Sequence, residues 1–238
     1  MRSVAILRFA PTEGPGYFAT YLSGHGIPWR VLPVDEGAEV PDDPRAFSGI
    51  ALMGGPMSVN DDLEWVPPVL SLIRAAAGVD VPVIGHCLGG QLLARAMGGI
   101  VTRNPVKEIG WGRVELLETA ETRRWFGDGL ASFDSFHWHG ETFSVPPGAV
   151  RLAASPHCAN QAFALGPHFG MQCHVEMTPE LIRAWCREWE KEVARLAERV
   201  PSVQTPAEMT EHVEEKTRAL NAIADRVYGC WVEGLRKR

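Results

Sequence analysis

The sequence predicts an α/β fold: a mostly parallel sheet with helices on both faces. Two observations carry this. Over the first hundred residues, short apolar runs alternate with segments of helical periodicity, the pattern of parallel strands joined by crossover helices. Two of those apolar runs end in glycine turns, Gly54-Gly55-Pro56 and Gly85-His86-Cys87-Leu88-Gly89-Gly90. Ligands on such sheets gather at the carboxyl ends of the strands, so the two turns can meet at one site. A length of 238 residues suits one domain over residues 1–238, with a core that needs neither disulfides nor a structural metal.

Residues 4–9 read as a buried first strand, and residues 17–23 as a helix ending near Gly24 and Gly26. Residues 29–34 form a second strand, followed by an acidic, proline-bearing link over 35–45. A third strand, 49–53, ends in Gly54-Gly55-Pro56. Residues 63–77 carry apolar side chains at helical spacing, with Asp61 or Asp62 as N-cap. A strand over 81–84 then meets the second glycine turn, and Gln91 to Met97 follow as a helix. The middle, 100–155, is richer in strands and turns; 114–117 and 150–154 are the clearest strands there. Residues 163–165 and 170–174 read as a last pair. From Thr178 the pattern is helical, with Thr178 as cap and Pro179 at the first position. Leu181, Trp185, Trp189, Val193 and Leu196 mark one helix, and Pro201 and Pro206 break it. Met209, Val213, Leu220, Ile223, Val227 and Trp231 mark a second. Residues 178–238 thus read as a helical extension of two added helices.

Hydrophobic content of 45% and charged content of 22% are ordinary for a soluble globular chain. A net charge of -6, with no basic cluster beyond Arg236-Lys237-Arg238, argues against nucleic acid or an anionic membrane surface as partner. No apolar run reaches membrane-spanning length, and the first residues read as a strand rather than a signal peptide. Five cysteines, odd in number and without paired spacing, fit free thiols in a reducing, cytoplasmic compartment.

The segment Val81-Pro82-Val83-Ile84-Gly85-His86-Cys87-Leu88-Gly89-Gly90-Gln91 carries the chemistry. A strand runs into Gly-x-Cys-x-Gly and then a helix, the nucleophile-elbow pattern with cysteine for serine. With 24 Gly and 5 Cys, chance gives roughly 0.05 such patterns per chain. The turn lifts Cys87 to a strained tip at a helix N-terminus, where free N–H groups favour a thiolate. The competing reading is a buried structural cysteine in a glycine-rich turn. A thiol nucleophile also needs a base and a group to orient it. His174 is the candidate base and Glu176 the candidate orienter, although a His-x-Glu pair alone could be a solvated loop. The N–H of Leu88 is the natural first donor to an oxyanion, and Gly55 could supply the second.

Together these residues resemble the class I (triad-type) glutamine amidotransferase family: a Gly-Gly-Pro turn, then Gly-x-Cys-x-Gly-x-Gln, then His-x-Glu. Leu52-Met53-Gly54-Gly55-Pro56 and Phe136-His137-Trp138-His139-Gly140-Glu141 are most similar to the amidotransferase domain of GMP synthases. The resemblance covers roughly residues 45–178. It implies a flavodoxin-like fold and attack of Cys87 on the side-chain amide of glutamine. A γ-glutamyl thioester would form, ammonia would leave, and water would release glutamate. It also implies that Met57, Gln91, His139, Gly140 and Glu141 line the substrate's site. The usual His-Pro-Glu is His174-Val175-Glu176 here. His86 precedes the nucleophile where the family carries an apolar residue, and is read as packing rather than tuning.

No cofactor and no metal is expected. His137, His139 and Glu141 alternate along a possible strand face and could hold a metal, but substrate-loop residues are the simpler reading. No synthetase signature is found, so any ammonia acceptor would be a separate synthetase. The alternatives are an independent γ-glutamyl peptidase or hydrolase acting on another conjugate, and a catalytically silent regulatory module. The apolar stripe with Trp185, Trp189, Val193, Val213, Leu220, Val227 and Trp231 either packs within the chain or forms a homodimer or synthetase face.

Overall fold

The computed structural model describes residues 2–235; Arg236, Lys237 and Arg238, the basic cluster named above, lie outside them. The strands are β1 (Val4–Arg8), β2 (Trp29–Pro33), β3 (Ile50–Leu52), β4 (Val83–His86), β5 (Val101–Leu116), β6 (Ser132–Phe143), β7 (Val150–Ala154), β8 (Ala162–Leu165) and β9 (His168–Met171). They form one sheet in the order β2-β1-β3-β4-β9-β8-β7-β5-β6. From β2 to β9 every pairing is parallel; from β9 to β6 every pairing is antiparallel.

Strand alternation builds the core on both faces. Val4, Ile6, Ala51, Met53 and Ile84 face one side, where α1 (Gly16–Gly24) and α8 (Val213–Glu233) add Phe18, Tyr228 and Trp231. Ala5, Leu7, Ile50, Leu52 and Val83 face the other, covered by Val69, Leu72 and Ile73 of α2 (Val66–Ala77) and by Leu92 and Leu93 of α3 (Leu88–Ala96). The predicted α/β fold with a mostly parallel sheet flanked by helices is thus observed. No helix among the described residues is long and apolar enough to cross a membrane.

Several boundaries differ from expectation for physical reasons. The cap of α2 is Trp65, not Asp61 or Asp62. Pro67 and Pro68 occupy the first turn, where a missing N–H costs nothing; Asp61 instead accepts from the Ser58 N–H at 2.8 Å. The strand expected over 81–84 is shifted to end at His86. The strand expected over 170–174 stops at Met171, because its parallel neighbour β4 ends as the chain turns at Cys87. Of the long hairpin of β5 and β6, the sequence marks only 114–117 and the possible strand face of His137, His139 and Glu141. Pro105, Gly110 and a bulge between Arg103 and Glu108 hide its two-residue period. The helix α4 (Ala120–Phe126), capped by Thr119, has no counterpart among the expected elements.

The extension holds four helices where two were expected. The first divides into α5 (Pro179–Glu188) and α6 (Glu190–Ala197) at Trp189, whose ring lies 5.1 Å from that of Trp138. The second divides into α7 (Pro206–Thr210) and α8 at His212, which takes a left-handed conformation. Thr178 caps α5 as expected. The apolar stripe is consumed within the chain: Trp185, Val193, Val213, Leu220, Val227 and Trp231 are all buried. Trp189, of the same stripe, is half-buried and lines the cavity described below.

Candidate active site

Parallel pairing sets the site. In the registers, Leu52 lies beside Gly85 and Gly85 beside Gly170. Chains leaving β1, β3, β4 and β9 therefore emerge at one edge, carrying Glu13, Gly55, Cys87 and His174 to one cavity of about 690 Å³.

Cys87 follows β4 directly and caps α3 with φ 50° and ψ −107°, a strained conformation for a residue with a side chain. The turn closes because its glycines leave no room for a Cβ. One on Gly89 would collide with the Leu52 carbonyl, and one on Gly90 with that of Met171. The Cys87 N–H donates to Met171 O at 2.9 Å, which ties the elbow to β9. The sulfur lies 3.5 Å from Gln172 Nε2, which donates to it, and the thiol reaches Trp138 O at 3.9 Å. Gln172 in turn accepts from Gln91 Nε2 at 3.1 Å.

His174 lies just beyond β9, its N–H donating to Phe136 O at 2.8 Å. Its Nδ1 is 2.6 Å from Glu176 Oε1. Its Nε2 makes no hydrogen bond within the described residues, and the Cys87 sulfur acts on the ring from beside it. Burial alone lowers the His174 pKa, but the Glu176 carboxylate and Cys87 outweigh it and raise it well above the ordinary histidine value. Burial likewise opposes the charge on Glu176, yet the imidazoles of His174 and His86 hold its carboxyl below the usual range. Trp185 of α5 packs edge-on against the His174 ring at 4.9 Å. His86, the unexpected neighbour of the nucleophile, is fully buried and 3.1 Å from Tyr228 Oη, in line with the packing reading.

Gly55 and Leu88 lie side by side; a Cβ on Gly55 would press on the Leu88 and Met57 side chains. Neither N–H has an acceptor among the described residues. Met57, Gln91, His139, Gly140 and Glu141 all line the cavity. The Glu141 carboxylate accepts from Ser58 Oγ at 2.8 Å. The His139 ring is not turned to a substrate: its Nδ1 donates to Glu141 O at 2.9 Å and its Nε2 stands 3.0 Å from Glu108. Gln91 touches the cavity but spends its amide on Gln172.

Sequence reasoning missed Gln172 and Glu13. The first had a signal, since alternation on an extended chain places it with His174. The second had none. Glu13 sits in a Pro-Thr-Glu-Gly-Pro loop that reads as solvated, yet it is buried with its carboxyl against Gly54. Burial pushes this carboxyl up to about 8; the charge of His174 opposes the rise and that of Glu176 adds to it.

A parallel sheet that delivers a thiol to a helix N-terminus beside a histidine–carboxylate pair defines the class of α/β proteins with a cysteine elbow. A family model described as glutamine amidotransferase class-I matches residues 18–184, and the chain belongs to that family. It is 30% identical over 188 residues to the glutamine amidotransferase-like protein YfeJ of Salmonella typhimurium, covering 76% of this chain and 79% of that one. It is 31% identical over 147 residues to the glutamine-hydrolysing GMP synthase of Ectopseudomonas mendocina, covering 58% of this chain but only 27% of the synthase. The crystal structure of a glutamine amido transferase from Methylobacillus flagellatus superposes with a TM-score of 0.97 at 45% identity, covering 100% of this chain and 97% of that one.

Proposed function

We propose that the chain hydrolyses γ-glutamyl amides through Cys87, His174 and Glu176. His174 Nε2 takes the Cys87 proton, and the sulfur attacks the amide carbonyl. The N–H groups of Gly55 and Leu88 hold the oxyanion. Collapse of the tetrahedral adduct breaks the C–N bond; His174 returns the proton to the leaving nitrogen, and a γ-glutamyl thioester remains. Water, deprotonated by His174, then attacks the thioester. Glutamate leaves and the thiol is restored. Glu176 keeps the hydrogen of the imidazole on Nδ1 and stabilises its charge. Glu141, Met57, Gln91 and Gly140 contact the substrate's α-amino-acid end. The single observation that carries this reading is the meeting of the elbow thiol, the raised His174 and two unengaged N–H groups at the ends of neighbouring strands.

A cavity of about 690 Å³ sits well within the size range that accommodates drug-sized ligands, more space than a free amino acid needs. That favours, as a second reading, a γ-glutamyl conjugate over glutamine itself. Where the substrate is glutamine, the ammonia goes to a separate synthetase chain.

An assay of ammonia or amine release from glutamine and a panel of γ-glutamyl conjugates tests the reading, with labelling by a glutamine-analogue alkylator. Labelling is expected at Cys87 alone. Burial pushes the thiols of Cys158, Cys173, Cys186 and Cys230 up, which keeps them protonated. A protein inert on every γ-glutamyl amide, with Cys87 unlabelled, is instead the silent regulatory module.

A further inference from the structure

Behind the cavity wall, β5 and β6 bring together three buried side chains that this reaction does not use: Glu108, His137 and His139. Past the bulge, the antiparallel register sets Glu108 across from His139 and Gly110 across from His137, so the three groups share one face. One donor atom of each lies within 4.8 Å of the other two.

The hydrogen bonding of the rings points inward. His139 Nδ1 is 2.9 Å from Glu141 O, and His137 Nε2 is 3.4 Å from Gly112 O. A carbonyl only accepts, so these nitrogens carry hydrogens, and the nitrogens left toward the cluster are His139 Nε2 and His137 Nδ1, the latter 3.5 Å from Gln161 Nε2. His139 Nε2 is buried and 3.0 Å from Glu108 Oε2, a separation that either a shared proton or an ion bound by both groups satisfies. Imidazoles fixed through their remote nitrogen by backbone carbonyls are the usual outer support of a metal site. The carboxylate is oriented too, accepting from Ser155 Oγ at 2.7 Å and from Gln161 Nε2 at 2.8 Å. A second cleft, of about 190 Å³ and lined in part by Glu108, His137 and His157, opens onto the cluster and gives a path and room for water ligands.

We propose that Glu108, His137 and His139 form a binding site for one divalent transition-metal ion of the zinc type. Two imidazole nitrogens, one carboxylate oxygen and an open position for water are a donor set that zinc accepts. The site lies outside the thiol chemistry. Its ion would pin His139-Gly140-Glu141, the strand segment that walls the substrate cavity.

The test uses full-length Cys87→Ser protein, so that the elbow thiol cannot supply a ligand. After dialysis against chelator, zinc alone is titrated by calorimetry and bound metal is counted by mass spectrometry. One equivalent per chain is expected, and cobalt(II) in its place should show a visible d–d band without a thiolate charge-transfer band. Glu108→Gln and His137→Asn should each weaken binding by about 100-fold or more, comparable to or beyond the loss of an outer-shell partner. A zinc-edge anomalous map of the soaked protein should place the ion between the three side chains. That map decides alone if either variant fails to fold. No uptake of zinc, unchanged affinity in both folded variants, or an anomalous peak elsewhere overturns the proposal.

Discussion

The parallel and antiparallel halves of the sheet place their polar side chains by different means. In the parallel half, Glu13, Cys87, Gln172 and His174 all sit past the last residue of a strand. In the antiparallel half, Glu108, His137 and His139 sit inside strands and meet through pairing register. A strand-end group is held by the backbone of the strand ends beside it: the elbow packs its glycines on the Leu52 and Met171 carbonyls, and the Cys87 N–H donates to Met171 O. A mid-strand group is held by the whole hairpin. Changes at strand ends should therefore alter chemistry and spare the fold, while changes within β5 and β6 should alter binding through the shape of the cavity wall.

The largest effect tests the strand ends. Cys87→Ala and His174→Asn should each lower kcat/KM by at least about 10⁴-fold, with circular dichroism and thermal midpoint close to the parent. If either variant lost its fold along with its activity, the separation of strand-end chemistry from core stability would fail. Glu176→Gln should cost less than His174→Asn, because an amide can still orient the ring while giving up the charge that raises the His174 pKa. A loss equal to that of His174→Asn would mean that Glu176 does more than orient.

The same contrast decides what could be read in the sequence. The elbow was legible because its parts are contiguous: a strand, two glycines around a cysteine, and a helix. His174 and Glu176 were legible only as companions of that elbow, since two residues beyond a strand name no partner. Glu108 was not legible at all. Its partner His139 is placed opposite by a bulge that shifts the register, and no local pattern encodes which strand pairs with which. The bulge likewise made β5 read as turns. His137 and His139 were noticed, but with Glu141 as their carboxylate; the structure turns Glu141 to Ser58 and gives the imidazoles Glu108. In the extension, periodicity gave the apolar residues correctly but not the breaks at Trp189 and His212, which arise from packing on β6 and from a backbone turn.

A smaller effect probes the other half. Glu141→Gln keeps a hydrogen-bond acceptor for Ser58 but removes the charge facing the cavity. KM for a γ-glutamyl substrate should rise by about 10-fold while kcat stays within about twofold, as expected for a contact made equally in ground and transition states. A matching fall in kcat would move Glu141 from substrate holding into the chemistry, and would erase the contrast between the halves.

The effect on rate at neutral pH is smallest for Glu13, the strand-end group that the sequence hid, and its signature is a dependence on pH. Burial raises its carboxyl from the ordinary 4.5 to about 8, so the folded protein holds a proton that the unfolded chain releases. The sign follows from that. The stabilising contribution is full below pH 4.5 and is lost as the pH climbs toward 8, at about 1.4 kcal/mol per unit. Glu13→Gln has no proton to lose. Urea unfolding at pH 5 through 8 should therefore show the variant gaining stability relative to the parent as the pH rises, with the two nearest each other at pH 5. The rate should respond in the same window. Above about pH 8 the parent acquires a second carboxylate against Gly54 and coupled to His174, in the cavity where negative charge builds in the proposed transition state. Its kcat should fall there, and that of Glu13→Gln should not. Stability curves that stay parallel across the range would mean that Glu13 titrates like a surface carboxylate, and that the strand-end cluster is wetter than its burial implies.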